Sequence, residues 1–354
     1  MSRGGDPAGE AAGSEQGAGA GMRRLRHTRL TPAIRDFYAE TPPLGPSDFI
    51  YPYFVTTGRG RRDPIEQLPG VYRFSVDELL RDLQVTAEAG ICKILLFGVV
   101  ESALKDPTGS YAARPDSVVA QAVRAIRERF GGELAVITDI CLCAYTDHGH
   151  CGVVSGGVID NDQTLVWLAR MAQAHAEAGA DFVAPSAMMD GQVGAIAAQL
   201  RAAGLRTRVI GYSAKYASGY YGPFREAAQS APAFADRRTY QMDWRNGRQG
   251  LEEIAADLEE GAVMVMVKPA GAYLDVIAQA ARRFGSSVLL AYQVSGEYAT
   301  LKAGAAMGLY DEREIFTENL TAIKRAGAKY IISYYARDFC APREAEACGP
   351  QGQC

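Results

Sequence analysis

Residues 139–152 read DICLCAYTDHGHCG, which places three of the chain's seven cysteines and two of its four histidines within eleven positions. Cys141, Cys143 and Cys151 form a C-x-C-x7-C pattern. Three thiolates leave a tetrahedral zinc with one open position, the arrangement of a catalytic site. A structural site takes four protein ligands, and His148 or His150 could supply the fourth. A redox pair is the third option, although C-x-C is not the C-x-x-C spacing of thioredoxin-like exchange. Thiolate and imidazole together select zinc among the common metals, so zinc is favoured over a metal-free cluster.

The second chemical signal is lysine. Of 37 basic residues only seven are lysines, so each invites a reason. Lys93 and Lys329 open apolar runs, where they can snorkel to solvent. Lys302 and Lys324 lie on helical segments, and Lys105 lies in a loop. Lys215 and Lys268 instead close the apolar runs VIGYSA and VMVMV. Two ammonium groups near one another in an apolar cup are pushed toward the neutral amine, the form that attacks a carbonyl. The plainer reading is a lysine paired with a carboxylate, but no acidic residue directly flanks either one.

Eight apolar runs supply the elements that must carry these groups: 50–55, 92–100, 134–142, 181–187, 208–214, 262–269, 288–295 and 330–336. Nearly all are continuous rather than alternating, as parallel strands covered on both faces require. Amphipathic segments of helical period separate them, clearest at 77–90, 117–132, 164–180, 251–262 and 272–285, and the first three end at glycine just before the next strand. This spacing predicts a single (β/α)8 TIM barrel over residues 50–340, with both lysines and the cysteine loop at the C-terminal face where catalytic groups gather. A doubly wound sheet would want a glycine-rich turn opening into a helix after the first strand, and TTGRGRRDP does not provide one.

The chain has 354 residues, with 48% hydrophobic and 22% charged residues and a formal net charge of −4. That balance gives no electrostatic reason to expect nucleic acid or an anionic membrane as a partner. No run of 18 apolar residues is present to span a membrane. Residues 1–21 are rich in Gly, Ala and Glu and read as a disordered leader without a signal-peptide core, which sets the expected location as cytoplasmic. Residues 22–49 carry apolar positions with no evident place in a barrel and read as an N-terminal arm, packed on another subunit or strapped across the barrel bottom. Residues 341–354 read as a flexible tail, its cysteines as reduced thiols, and Cys92 as a buried structural thiol.

Zinc thiolates beside two imine-forming lysines resemble the porphobilinogen synthase (δ-aminolevulinic acid dehydratase) family. The likeness runs from about Arg23 to Cys340 through five ordered stretches: LPGVYRFSVDEL, DICLCAYTDHGHCG, SAKYASGYYGPFR, MVKPAGAYLD and AYQVSGEY. The resemblance implies condensation of two molecules of 5-aminolevulinic acid to porphobilinogen, with loss of two waters, on the way to tetrapyrroles such as heme. It makes Lys215 and Lys268 the Schiff-base lysines and Cys141, Cys143 and Cys151 the zinc ligands, with Asp139 and Asp147 as supporting carboxylates. It also makes Arg225, Arg237 and Gln241 the anchors of one substrate carboxylate and Ser295 and Tyr334 those of the other. Residues 216–237 resemble the family's lid, Glu253 falls where an activating magnesium site is found, and the arm implies a homo-octamer. The departures are the long leader and Val263, where an acidic residue is common.

Two other readings compete. A class I aldolase would need one such lysine and no metal. A zinc-storage or redox-sensing protein would leave both lysines without a role.

Overall fold

The computed structural model describes residues 24–341. Eight parallel strands form one sheet: β1 Phe49–Thr56, β2 Lys93–Val99, β3 Ala135–Ile140, β4 Phe182–Pro185, β5 Arg208–Lys215, β6 Met264–Lys268, β7 Leu289–Gln293 and β8 Tyr330–Ser333. Each pairs with the next, and β8 returns to β1 through Phe49↔Ile331 and Ile50↔Ile332, which closes the barrel. The strands are buried along nearly their whole length, which is why they read as unbroken apolar runs.

Eight helices cover the outside: α1 Val76–Glu88, α2 Val118–Phe130, α3 Asn161–Glu177, α4 Gln192–Ala202, α5 Gly247–Glu260, α6 Leu274–Phe284, α7 Ser295–Ala306 and α8 Glu312–Ala326. The five clearest amphipathic segments are α1, α2, α3, α5 and α6. The glycine stops hold, with Gly90 at φ 81° and Gly179 at φ 105°. The weakly patterned α4 and α7 are rich in Ala and Gly, so little in their sequence marks a face.

A short antiparallel pair, Arg62–Pro64 with Tyr72–Phe74, follows β1, and the second of these also pairs with β1 through Phe54↔Arg73. Neither strand is evident from the sequence.

Two compact units divide between Pro42 and Pro43. Within the first, Pro32–Tyr38 is helical, with Thr31 Oγ1 accepting from the Ile34 amide at 3.2 Å. Leu25, Leu30, Phe37 and Tyr38 of this unit are exposed. Residues 43–49, the C-terminal end of the arm expected over 22–49, group with the barrel unit. Lys93 Nζ donates to the Ser47 carbonyl at 2.9 Å, and Lys324 pairs with Asp48 at 2.8 Å. The leader expected over 1–21 and the tail beyond 341 lie outside the described residues. Cys92 is exposed rather than buried, because it stands at the N-terminal rim just before the first residue of β2.

Candidate active site

Lys215 and Lys268 are the last residues of β5 and β6 and are direct register partners. Neighbouring strands run about 4.8 Å apart, so the two side chains leave the sheet side by side. Upstream, Gly211 pairs with Val265 and Ala214 with Val267, three steps on β5 against two on β6. The extra residue re-aims the end of β5. Tyr212 and Lys215, three apart in sequence, therefore come together, with Lys215 Nζ 5.7 Å from the Tyr212 ring centroid.

Lys268 sits in an aromatic cup. Its Nζ lies 4.2 Å from the Tyr292 ring centroid, 5.0 Å from Tyr212, 5.2 Å from Phe224 and 5.4 Å from Tyr221. Burial and then the nearby Lys215 bring its pKa down to about 7, against the opposing pull of Asp139. Lys215 donates to the Ser186 carbonyl at the end of β4. Asp139, on β3, is pushed up to about 6 by its enclosure in the barrel mouth, with Lys215, Lys268 and the Ser186 hydroxyl favouring the carboxylate.

The cysteine loop leaves β3 as a tight turn, with the Tyr145 and Thr146 amides donating to the Leu142 carbonyl and Thr146 Oγ1 donating to the His150 carbonyl. This turn brings the three buried sulfurs of Cys141, Cys143 and Cys151 within 4.8 Å of one another. Three thiolates on one zinc, each about 2.3 Å from the metal, stand about 3.8 Å apart. The donor set therefore fits that ion after a small contraction. Hydrogen bonds from Cys141 and Cys143, with Arg237 and Lys215 nearby, hold the Cys151 thiol well below its ordinary range.

Neither histidine completes a fourth position. His150 uses Nδ1 on the Tyr240 hydroxyl at 3.1 Å and Nε2 on the Phe234 carbonyl at 3.0 Å. His148 Nε2 meets the Pro107 carbonyl at 3.2 Å, and its Nδ1 accepts from the His150 amide.

One small cavity gathers Asp139, Cys141, Cys143, Lys215, Lys268, Arg237 and Gln241. Its volume is about 20 Å3, room for one water. Burial opposes the charge on Arg237, but the Cys151 and Cys143 sulfurs outweigh it and keep the guanidinium charged. Arg237 Nη2 donates to the carbonyls of Gly149 and Ser230. Of this lining, Asp139 Oδ1, Arg237 Nε and Gln241 Nε2 are buried without a protein partner, as are two groups outside it, the Tyr212 hydroxyl and Arg225 Nε on the short helix Gly222–Ala227. Such groups are costly unless something polar arrives to meet them.

Ser295 and Tyr334 adjoin this group without lining the small cavity. Ser295 Oγ accepts from the Phe224 amide at 3.0 Å and donates to the Tyr220 carbonyl, while the Tyr334 and Tyr292 hydroxyls are 3.1 Å apart. Asp147 is not brought in; it is exposed, and its amide donates to the Asp106 carbonyl. Glu253 lies apart as well, half-buried on α5, where it lines a neighbouring cavity of about 780 Å3 with Asp190, Asp257 and Glu260. Burial raises its pKa, as do Asp190, Glu260 and Glu252, although the Gln249 amide donates to it at 3.4 Å and favours the carboxylate.

Four residues of the site, Ser186, Tyr212, Tyr221 and Phe224, carry no sequence signal of their own. Ser186 could be placed because it follows a strand at the same barrel face as the lysines, and Tyr221 and Phe224 only as members of the stretch SAKYASGYYGPFR.

Residues 217–237 roof the cavity. The Phe224 ring drops into the mouth against Phe54 at 5.7 Å and Phe97 at 5.1 Å, and the Tyr221 hydroxyl donates to the Lys268 carbonyl.

A family model described as ALAD, delta-aminolevulinic acid dehydratase, matches residues 22–341. The delta-aminolevulinic acid dehydratase of Methanothermobacter thermautotrophicus is 49% identical over 319 residues, covering 89% of this chain and 96% of the relative. That of Bacillus subtilis is 44% identical over 318 residues, covering 90% and 97%. The solved delta-aminolevulinic acid dehydratase (porphobilinogen synthase) of Toxoplasma gondii, in complex with the reaction product porphobilinogen, superposes with a TM-score of 0.87 at 39% identity. That match covers 90% of this chain and 91% of the other.

Proposed function

The chain belongs to the delta-aminolevulinic acid dehydratase family, lyases of porphyrin biosynthesis (EC 4.2.1.24), and from that premise we propose that it condenses two molecules of 5-aminolevulinic acid to porphobilinogen through Schiff bases on Lys268 and Lys215. The observation that carries this reading is the register pairing of the two lysines at one small enclosed cavity beside a three-sulfur cluster.

Lys268, about half of it the free amine at pH 7, attacks the ketone of the first substrate. The adduct loses water to an iminium, which acidifies the adjacent carbon and permits carbon–carbon bond formation. Lys215, one strand away, captures the second ketone in the same way. The two waters released overall are those of the two imine formations, and later steps return both lysines as free amines. Asp139, with an unpartnered oxygen at the cavity, takes and returns protons between these groups.

Arg225, Arg237 and Gln241 receive one carboxylate through their unpartnered N–H groups, while Ser295 and Tyr334 receive the other. A cavity of about 20 Å3 cannot admit a keto acid, so the segment over 217–237 must open and then close, excluding water from the imines. Cys141, Cys143 and Cys151 would hold zinc, which when bound supplies a Lewis acid with one open position.

Glu253 is proposed as the site of an activating magnesium, supported by its oxygen-rich, half-buried surroundings. The exposed apolar residues of the arm support assembly through arm contacts, with an octamer as the proposed state, and the setting proposed is the cytoplasm.

Borohydride reduction with 5-aminolevulinic acid, followed by peptide mass mapping with and without a zinc chelator, tests the whole reading. An adduct on Lys268, with porphobilinogen formed only while zinc is present, is the expected result. No adduct on either lysine would sink the condensation mechanism.

A further inference from the structure

The roof is gripped from both sides. From inside, Ser295, Arg237 and the Lys268 carbonyl hold it, and these belong to the reaction site. From outside, two basic side chains that do not line the cavity reach it. Arg73, on the short strand after β1, donates from Nε to the Ala227 carbonyl at 2.7 Å and from Nη2 to the Glu226 carbonyl at 2.8 Å. Lys105, in the loop after β2, donates from Nζ to the Gln229 carbonyl at 2.6 Å.

All three acceptors lie at or just beyond the end of the roof helix Gly222–Ala227, where carbonyls run out of partners within the helix. Gln229 itself has φ 48°, a left-handed conformation that a non-glycine residue keeps only when its surroundings hold it. Arg73 also pairs in register with Phe54, the ring on which Phe224 packs. Phe224 and the two carbonyls that Arg73 holds lie on the one helix Gly222–Ala227, so withdrawing Phe224 with that helix draws those carbonyls away from Arg73.

We propose that Arg73 and Lys105 form a two-point latch that sets how much of the time the lid is closed, acting as positioning residues for Arg225 and Phe224 without touching substrate. The charged donors are half-buried, so each bond competes with water only in part. A planar guanidinium can meet two consecutive carbonyls at once, which an ammonium cannot. This inference rests on the lid role proposed above, but its primary readout needs no turnover.

Peptide-resolved hydrogen exchange on the full-length, zinc-loaded protein compares wild type with Arg73→Ala, Arg73→Lys, Lys105→Met and the Arg73→Ala/Lys105→Met double variant. Exchange over 219–230 should rise about tenfold in each loss variant, the scale of one half-exposed charge-assisted bond, with strands β1–β8 unchanged. Arg73→Lys should fall between wild type and Arg73→Ala. The KM for 5-aminolevulinic acid should rise by a similar factor, while the borohydride adduct on Lys268 still forms at saturating substrate. Wild-type lid exchange in the double variant would overturn the latch. So would exchange that rises equally in the barrel strands, which marks general fold stabilisation. Loss of the Lys268 adduct in wild type would instead count against the condensation reading and leave the exchange result standing.

Discussion

The chemistry at the barrel mouth turns on how far burial shifts one amine. An ordinary lysine has a pKa of about 10.4 and is almost wholly protonated at neutral pH. Lys268 is brought down to about 7 by burial and by Lys215, so its amine is mostly free above that pH and protonated below it. Initial imine capture should therefore be flat above about pH 7 and fall close to tenfold per unit below it. Timed borohydride quenching with 5-aminolevulinic acid reads this directly. A capture rate still climbing above about pH 9 would show an unperturbed lysine and remove the physical basis for the nucleophile. The same sign applies to folding: the unfolded chain holds this proton to higher pH, so stability attached to Lys268 is lost as pH falls from its unfolded value through about 7. At this scale the sequence was informative where residue type is scarce, as with the lysines and the cysteine triplet. It left His148, His150 and Asp147 open, because their partners and exposure depend on where the loop turns.

Between elements, the decisive feature is how closely the lid backbone approaches its neighbours. A Cβ at Gly149 would stand 2.2 Å from the Ala231 carbonyl oxygen of the lid. A Cβ at Gly296, in the first turn of α7, would stand 2.5 Å from the Tyr220 carbonyl oxygen. The cysteine loop and α7 can thus lie against a closed lid only where no side chain intervenes. Gly149→Ala should hold the lid off and raise KM several-fold, with a stability loss of about 1 kcal/mol from its φ of 70°. Gly156→Ala is the matched control, since its φ of 59° carries similar strain but a Cβ there would meet nothing within 4 Å. Steady-state kinetics and denaturant midpoints on both variants separate the two effects. Equal KM values would place the cost in backbone strain alone. The lid could be recognised in the sequence as a stretch rich in Gly and aromatic residues, yet its contacts could not, because Arg73 meets Ala227 across 154 residues of chain.

For the whole molecule, the unit ending at Pro42 is the part that cannot be accounted for by the barrel's own core. Phe37 is 83% exposed and Leu30 64%, an apolar display that solvent disfavours and a second subunit would cover. On the arm-mediated assembly proposed above, replacing Phe37 and Leu30 by Ser should give smaller species in sedimentation velocity over a range of protein concentrations. The melting behaviour of a barrel built on its own core should change little. An unchanged sedimentation profile would remove the arm from the account of assembly.

Eight strands, their order and the placement of two lysines at strand ends were legible in the sequence alone. The reason is physical: strands buried on both faces must be written as continuous apolar runs, and a charged residue at the end of one stands out. The three-sulfur cluster was legible because its ligands are close in sequence. The tertiary structure alone decided that Lys215 and Lys268 are register partners, since that depends on a bulge in β5. It alone decided that Cys92 faces solvent, that Glu253 looks into a different cavity from the cysteines, and that Arg73 and Lys105 reach the lid. Each of these depends on segments far apart in sequence, and pairings of that kind leave no periodicity in the chain to be read.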